Sequence, residues 1–456
     1  MKFSTFSLIT LSLILLISAC DDKEEYNHDP NFLLNFSLDS LTFDTIFSGL
    51  PSTTKQIKVY NPSSKAIYLD EIDLVNNDEA YRLNINGVVG NSAKQVYIPA
   101  KDSLYIFVEL SVQDNNQDSP RLIEDYIQFQ FNSKVQRFRL KSWAQDVIRF
   151  ENNELQSQVW TKNRPYFIDE NLYLNQNQSL TIQAGTRVYF QKDAGLHIHG
   201  NLNINGSFED IVFFGSHRRE ELYDNVPGQW EGLYFYPESK DNFITHLHLE
   251  NAIKGISAQS ENNNNNSLEI EYSQFLNFTT TGISTNNFNL KMHDVIISNC
   301  GQETIRLDGD GYFELSHCNF INYWQLSSRS NPIFNYLANK NNDKELKLYN
   351  SVIWGTKSDE LEINQAAAVE IKNTLIKISD KKQNDFSNIF ENCIFNKDPK
   401  FVNKNKHNYN LSVNSPLIDN AKLDIAPLYP IDFNGNSRLS DTAPDIGSFE
   451  YIEVNE

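Results

Sequence analysis

The sequence predicts an all-β protein in which a β-sandwich is followed by a parallel β-helix. Three observations predict this fold. Short apolar runs alternate with turn-forming residues from about residue 35 onward. A strand motif recurs about every 22 residues in the C-terminal two thirds of the chain. Asparagine, which favours turns over helices, is used heavily throughout.

The N-terminus has the pattern of a lipoprotein signal peptide, residues 1–19. Lys2 supplies a positive charge, and residues 6–17 form an apolar segment too short to cross a membrane. Small residues then precede Cys20. This pattern resembles the lipobox of bacterial lipoproteins, which implies that Cys20 is acylated. The alternative is an ordinary secretory peptide with an incidental cysteine.

An acidic tether is predicted at residues 20–34. Its run of Asp21, Asp22, Lys23, Glu24 and Glu25 resembles the surface-export signal of Bacteroidetes lipoproteins. The resemblance implies an outer-membrane protein that faces outward, whereas the alternative is a plain solvated linker. We therefore expect a soluble body whose contact with the membrane is the lipid.

Residues 35–146 are predicted to form the sandwich. About seven strand-like runs in about 110 residues is the count of an immunoglobulin-like domain. The stretches 41–44, 59–62 and 99–104 resemble an Ig-like domain common at the N-termini of Bacteroidetes surface lipoproteins. The resemblance implies a spacer.

Residues 147–425 contain the repeat. The first residues of successive strands are 21, 22, 23, 33 and 23 positions apart. A polar turn former follows each strand, and an apolar column, which includes Phe275, Ile297 and Phe320, follows the turns. Asn277, Asn299 and Asn322 form another column. The aligned first residues are Leu247, Leu268, Leu290, Phe313, Leu346 and Val369, and the aligned turn residues are Asn251, Tyr272, Asp294, His317, Asn350, Asn373 and Asn392.

Stacked turns over stacked apolar side chains are typical of a parallel β-helix, in which each coil packs on the next at a spacing of about 4.8 Å. A weaker match upstream aligns 180–182 with 202–204 and 188–190 with 211–213. The pattern resembles the pectate-lyase-like superfamily, which implies a right-handed β-helix. Counted from 172 to 420, it would have about eleven coils.

The C-terminal residues 426–456 are predicted to form a cap. The segments 415–421, 432–438 and 444–451 resemble the choice-of-anchor Q region that closes many bacterial β-helix proteins. A cap is expected because the last coil of a solenoid exposes unpaired backbone.

Composition limits the partners and cofactors. The 39 Lys and Arg against 59 Asp and Glu give a net charge of −20, which argues against nucleic acid. The pairs His197/His199 and His246/His248 have metal-ligand spacing but each lacks a third ligand. The turn at 306–311 offers Ca²⁺ as an alternative to an ordinary acidic turn. No metal and no cofactor are expected.

Cys300, Cys318 and Cys393 are too few and too scattered for a disulfide framework. Cys318 and Cys393 share a column three coils apart, about 14 Å, which is beyond disulfide reach. Cys300 falls at a different point around its coil. We expect three free thiols.

Two insertions supply the candidate binding residues. Arg and aromatic side chains on loops that leave a β-helix can line a sugar-binding groove. The alternative is that they only fold the loops back onto the rod. The candidates are Arg218, Arg219 and Tyr223 in the insertion 216–229, and Trp324, Arg329 and Tyr336 in the insertion 323–343.

These features predict a lipid-anchored cell-surface β-helix that is structural or binding, adhesin-like or in contact with a glycan. Its partners would be the membrane, through the lipid, and a glycan or another surface protein. The alternative is a polysaccharide lyase or glycoside hydrolase acting on an acidic or complex glycan. No column shows the carboxylate cluster that such enzymes use, which argues against catalysis.

Overall fold

A computed structural model describes residues 25–76, 80–261, 266–338, 345–364, 368–440 and 442–453. Cys20 lies outside the described residues. The described chain is almost entirely β-structure and divides into two compact units, with the boundary between Asp146 and Val147. Its helices are one α-helix, Asp380–Asp385, and the 3-10 turns Glu221–Tyr223, Ser387–Ile389, Lys404–Lys406 and Leu423–Ile425. None of these helices is long or apolar enough to cross a membrane.

The first unit is a β-sandwich of two sheets that enclose one apolar core. The five-stranded sheet is antiparallel, in the order β1-β4-β9-β6-β7. The other has the order β2-β11-β10-β5-β8, and β3 also pairs with β11. The strands are β1 Asn35–Phe36, β2 Ser40–Thr42, β3 Ile46–Phe47, β4 Lys55–Tyr60, β5 Ile67–Leu74, β6 Tyr81–Ile85, β7 Val88–Val89, β8 Ser92–Ile98, β9 Ser103–Leu110, β10 Arg121–Phe131 and β11 Lys134–Gln145.

Residues 25–34, predicted as part of the tether, pack on this sandwich. Tyr26 forms a parallel bridge with Ala66. The ring of Phe32 contacts that of Phe131 edge-on at 6.0 Å, and Leu34 is buried. These residues therefore belong to the sandwich, because their apolar side chains complete its core.

The second unit is a parallel β-helix whose interior is one continuous apolar core. Its strands are β12 Glu154–Leu155, β13 Gln158–Trp160, β14 Tyr166–Ile168, β15 Leu172–Leu174, β16 Ser179–Gln183, β17 Arg187–Phe190, β18 Gly195–Ile198, β19 Asn201–Asn205, β20 Val212–Ser216, β21 Gly232–Phe235, β22 Asn242–Thr245, β23 Leu247–Glu250, β24 Ile256–Gln259, β25 Ser267–Phe278, β26 Ile283–Asn286, β27 Asn289–Cys300, β28 Ile305–Asp308, β29 Phe313–Ser316, β30 Asn319–Asn322, β31 Phe334–Leu337, β32 Glu345–Tyr349, β33 Val352–Gly355, β34 Leu361–Ile363, β35 Ala368–Lys372, β36 Leu375–Ile376, β37 Phe390–Glu391 and β38 Ile394–Phe395, followed by the hairpin β39 Phe401–Asn403 and β40 Asn408–Leu411.

Each coil contributes to three stacked columns of strands. One column is a nine-stranded sheet that runs from β12 to β34. The other two belong to an eighteen-stranded sheet, and we call them the leading column (β13 to β37) and the trailing column (β14 to β38). They fill ten coils, against about eleven expected, because the chain leaves the helix after β38. β25 and β27 are long enough to pass through both columns.

The predicted core register is confirmed from Leu268 onward. Phe275 pairs with Ile297, Ile297 with Phe320, and Phe320 with Ile353. The expected asparagine ladder forms in part, with Asn251 in place of Asn322, whose Nδ2 donates instead to the carbonyl of Cys300 at 2.7 Å. The Nδ2 of Asn299 donates to the Oδ1 of Asn277 at 2.6 Å, and Asn277 donates to Asn251 at 3.2 Å.

Two upstream alignments were wrong. Leu268 pairs with Asn242, not with Leu247, so this step is 26 residues. Val188 pairs with Phe214, not with Ile211. Both errors occur in coils whose turns are longer, which shifts the strands without changing their apolar pattern.

The C-terminal residues 401–453, here called the strap, pack along the side of the β-helix rather than closing its last coil. Leu417, Ile446 and Phe449 of the strap cover outward-facing residues of the trailing column. The expectation of an end cap is therefore wrong in its placement. The physical reason is that both faces of these strands are apolar. The covered residues are Ile296, Ile321, Val352, Trp354 and Leu375.

Candidate functional site

The first predicted loop folds back onto the rod. The guanidinium of Arg218 lies 4.0 Å from the ring centre of Tyr223. That of Arg219 lies over Tyr189 and Phe213, at 5.4 and 5.3 Å from their ring centres. These cation–π contacts hold the loop on the trailing column, as the fold-back interpretation expected.

The second predicted loop holds its three candidates apart. The Nε1 of Trp324 donates to Ser327 at 2.9 Å. Arg329 is buried and donates to both carboxylate oxygens of Glu360, at 2.8 and 2.5 Å. Tyr336 is fully buried in β31, a strand of the nine-stranded sheet. Buried in this way, Arg329 and Tyr336 do not reach an exposed binding surface.

A groove runs instead across the outer face of the nine-stranded sheet. Two adjoining cavities, of about 520 and 320 Å³, lie over the strands β21, β24, β26 and β28. They share Lys254, Gln259 and Asn286. Because strands stack in register, side chains two positions apart on each strand line this face in parallel rows.

One end of the groove adjoins stacked rings. His197 lies between Tyr173 and Tyr234, with ring centres 4.7 and 5.0 Å away. His199 stacks on Tyr236 at 4.1 Å, and the Nδ1 of His197 is 2.9 Å from the hydroxyl oxygen of Tyr236. Burial lowers the pKa of His197 and raises the pKa of Tyr234. This end of the groove is therefore predominantly aromatic.

Hydroxyl and amide groups line the middle of the groove. Ser257 pairs with Ser284 on the neighbouring strand, and Gln259 pairs with Asn286. Lys254 lies where the two cavities join. Short polar side chains in register offer donors and acceptors at intervals of one coil, about 4.8 Å.

The other end carries charge. The Nε of Arg306 donates to Asp308 at 2.6 Å, and its Nη1 lies 3.7 Å from Glu303. Glu303 is only 1% exposed and accepts from Thr281 at 3.1 Å and from Asn331 at 2.8 Å. The hydrogen bond to Asp308 raises the pKa of Arg306. Two carboxylates thus flank one guanidinium at the groove floor.

The histidine pairs are used in ring contacts and hydrogen bonds. His248 bonds Glu250 through Nε2 at 2.9 Å and stacks on Phe213 at 5.7 Å. His246 stacks on Tyr272 at 5.0 Å. In the described part of the chain, no three His, Cys, Asp or Glu residues come together to hold a metal ion.

Sequence reasoning missed the groove because its residues lie on separate coils. A signal was present: Tyr234-Phe235-Tyr236 has the same alternation as His197-Ile198-His199, with a buried apolar residue between two aromatic rings. Aligned, the two triplets predict an aromatic face on one sheet. The rest of the groove consists of common polar residues that carry no pattern of their own.

No protein-family model matches this chain, and no curated protein matches its sequence. Among solved structures, it is similar to the catalytic unit of a GH87 α-1,3-glucanase from Streptomyces thermodiastaticus strain HF3-3, at 9% identity and a TM-score of 0.23, over 74% of this chain and 75% of that one. A family 123 glycoside hydrolase from Clostridium perfringens gives 11% identity and a TM-score of 0.19, over 27% of this chain and 26% of that one. A Porphyromonas gingivalis W83 protein of unknown function gives 10% identity and a TM-score of 0.20, over 31% of this chain and 60% of that one. Similarities this low carry no argument about function.

Proposed function

We propose that this chain is a lipid-anchored cell-surface protein whose β-helix binds a glycan along the groove of its nine-stranded sheet. Cys20 would carry the lipid, the Ig-like sandwich would act as a spacer, and the strap would be the choice-of-anchor Q region. The location would be the outer membrane, facing outward. A glycan is the favoured partner over another surface protein.

The observation that carries this proposal is the order of groups along the groove. Tyr234 and Tyr236 supply apolar ring surface whose faces attract the C–H groups of a sugar. Ser257, Gln259 and Asn286 supply hydrogen-bonding groups for its hydroxyls. A chain of sugars has both kinds of surface, repeated at short intervals. A long groove over several coils fits a chain better than a single small molecule.

Affinity electrophoresis tests this proposal. Protein beginning after Cys20 is run through gels that contain a panel of soluble polysaccharides, neutral and acidic. We expect at least one to retard it. Tyr236→Ala should then weaken binding about tenfold or more, or about 1.4 kcal/mol, since a stacking ring is lost.

Tyr312→Ala is the matched control, because Tyr312 is a tyrosine 39% exposed outside the groove. It should bind like the parent protein. If no polysaccharide retards the parent, or if both variants lose binding equally, the groove is not the glycan site.

A second candidate function is cleavage of that glycan. Glu303 and Asp308 on either side of Arg306 are the one feature that favours it, since paired carboxylates are the groups of glycoside hydrolysis. A depolymerisation screen with parent protein, Glu303→Gln and Asp308→Asn tests it. Turnover by the parent and its loss in both variants would establish an enzyme, whereas binding without turnover leaves a lectin-like protein.

A further inference from the structure

Three tyrosines form a ladder on one edge region of the sandwich. The ring of Tyr68 lies between those of Tyr26 and Tyr97, with centres 5.2 and 5.3 Å away. Tyr68 is 43% exposed, and the other two are half-buried. Tyr68 and Tyr97 are directly paired across the strands β5 and β8.

The chain is pinned next to this ladder just after the predicted lipid. The amide of Ala66 donates to the carbonyl of Glu25 at 2.9 Å, and that of Asn27 donates to Ala66 at 2.8 Å. Lys65 also pairs with Glu25 at 2.9 Å. Glu25 lies five positions after Cys20, and five extended steps of the chain span at most about 18 Å. Glu25 is therefore within about 18 Å of Cys20, and Tyr26, the first ring of the ladder, is the next residue.

Tyrosine is suited to the boundary between lipid and water, because its ring is apolar and its hydroxyl is polar. Basic side chains occur at the same end of the sandwich. Lys101 is exposed on a turn whose amide donates to Ser63 at 3.0 Å, and Lys65 is half-exposed. Lysines at a membrane surface attract the phosphates of lipid headgroups.

We propose that Tyr26, Tyr68 and Tyr97 dock the sandwich on the headgroup layer of the membrane that holds the lipid anchor. This inference rests on the proposed acylation of Cys20. A membrane is the partner we favour for the three tyrosines, because the short tether holds Tyr26 close to the bilayer that carries the lipid. Docking would fix the orientation of the sandwich at the membrane, where a free tether leaves it to rotate.

Hydroxyl-radical footprinting, which measures the oxidation of exposed side chains, tests this proposal directly. Acylated protein is reconstituted in vesicles of phosphatidylethanolamine and phosphatidylglycerol, and compared with protein that begins after Cys20. We expect oxidation of Tyr68 to fall several-fold in the vesicles. Tyr60 and Tyr105 are internal controls, because they are 38% and 36% exposed on the opposite sheet. Their oxidation should not change.

A pair of variants adds a second measurement. Vesicles should protect Lys101 from acetylation in the parent protein. The double variant Tyr68→Ser, Tyr97→Ser should lose this protection, and the matched variant Tyr60→Ser, Tyr105→Ser should keep it.

Equal oxidation of Tyr68 with and without vesicles would overturn the proposal. Protection in the lipid-free protein that grows with its concentration would also overturn it, in favour of a second copy of this chain. Mass spectrometry of the Cys20 peptide separates failure of the anchor from failure of the ladder. If Cys20 carries no acyl group, a maleimide lipid attached to it in a Cys393→Ser background restores the tether for the same test.

Discussion

Arg438 and Asp294 are 144 positions apart in the chain and form an ion pair in which both side chains have no solvent exposure. Arg438 also donates to Glu450 of the strap at 2.5 Å. Asp294 is the turn residue between the leading and trailing columns of its coil. The pair therefore joins the strap to the β-helix at a point from which water is excluded.

Replacing Arg438 with Met should destabilise the β-helix unit by about 3–5 kcal/mol, because Asp294 would stay buried without its cation and Glu450 without its hydrogen-bond donor. Lys291→Met is the control. Lys291 pairs with Glu269 at 2.6 Å, but the side chains are 45% and 39% exposed, so the loss should be about 1 kcal/mol or less. Urea unfolding followed by tryptophan fluorescence measures both, since Trp354 lies under the strap. Equal losses of unfolding free energy in the two variants would contradict the role of Arg438 as the cation of a buried ion pair.

The strap should loosen as pH rises above neutrality. Burial opposes the charge on His293, but its hydrogen bonds with Asp294 and Glu271, at 3.1 and 2.8 Å, outweigh burial and raise its pKa above 6.5. A raised pKa gives stability that is complete below pH 6.5 and is lost as pH passes the folded value. Burial also raises the pKa of Glu450 from 4.5 to about 8, so its contribution to stability is lost as pH rises through that range. Tyr429, which stacks on His293 at 4.3 Å, extends the strap over this group.

Limited proteolysis of the strap at increasing pH checks this. Cleavage should accelerate from pH 6.5 upward in the parent protein, and His293→Gln should flatten that part of the profile. A parent profile without slope in this range would rule out the titration of His293 as a contribution.

Phe320→Ala should cost about 3–5 kcal/mol of unfolding free energy, because the ring is fully buried between Ile297 and Ile353 in adjacent coils. Denaturant unfolding measures the cost. Phe243→Ala is a suitable comparison, since Phe243 is only half-buried on the leading column. A loss below about 1 kcal/mol at Phe320 would mean that its column is not in the core.

Thiol titration should find three free cysteines in unfolded, unreduced protein that begins after Cys20. Cys300, Cys318 and Cys393 are unpaired, as the column arithmetic predicted. Burial raises the pKa of Cys300 and Cys318 far above the usual range, and that of half-buried Cys393 to about 11. In the folded protein, Cys393 should react first and the other two only on unfolding. A single reactive thiol after unfolding would mean that two of the three cysteines form a disulfide bond.

Cys20→Ala should release the protein from membranes or leave it unprocessed, because acyl chains contribute about 0.8 kcal/mol per buried CH₂. Detergent partitioning of cell fractions measures this. Unchanged partitioning would show that Cys20 is not the anchor. Cys393→Ser is the control and should partition like the parent protein.

The sequence predicted the core register wherever the turns repeat. Tyr272, Asp294 and His317 occupy the same left-handed turn, with φ of 45°, 53° and 53°. The β-helix has a second left-handed position five residues later, at Asn277 and Asn299. Asn251 belongs to this second set, and His246, with φ of 50°, belongs to the first. Because both residues are polar turn formers, an alignment on Asn251 instead of His246 displaces Leu247 by five residues.

A cover such as the strap could have been predicted from runs of consecutive apolar residues. Val295, Ile296 and Ile297 are three apolar residues in a row, and all three are buried, which an alternating half-buried strand would not allow. Such runs predict cover on both faces. The groove could not be found in this way, because Gln259 and Asp308 come to line one cavity only through the stacking of coils, and polar residues on an exposed face have no required order.

The strap has a consequence for how the chain is made. The apolar stripe that includes Ile296, Val352 and Leu375 is synthesised well before Ile446 and Phe449, which cover it. Until those two residues have been synthesised, a β-helix that has already coiled exposes this apolar stripe to water, and such surfaces favour aggregation or chaperone binding. The strap is thus a late cover for the β-helix, and a chain cleaved before Ile446 would lose the part of that cover that Ile446 and Phe449 supply.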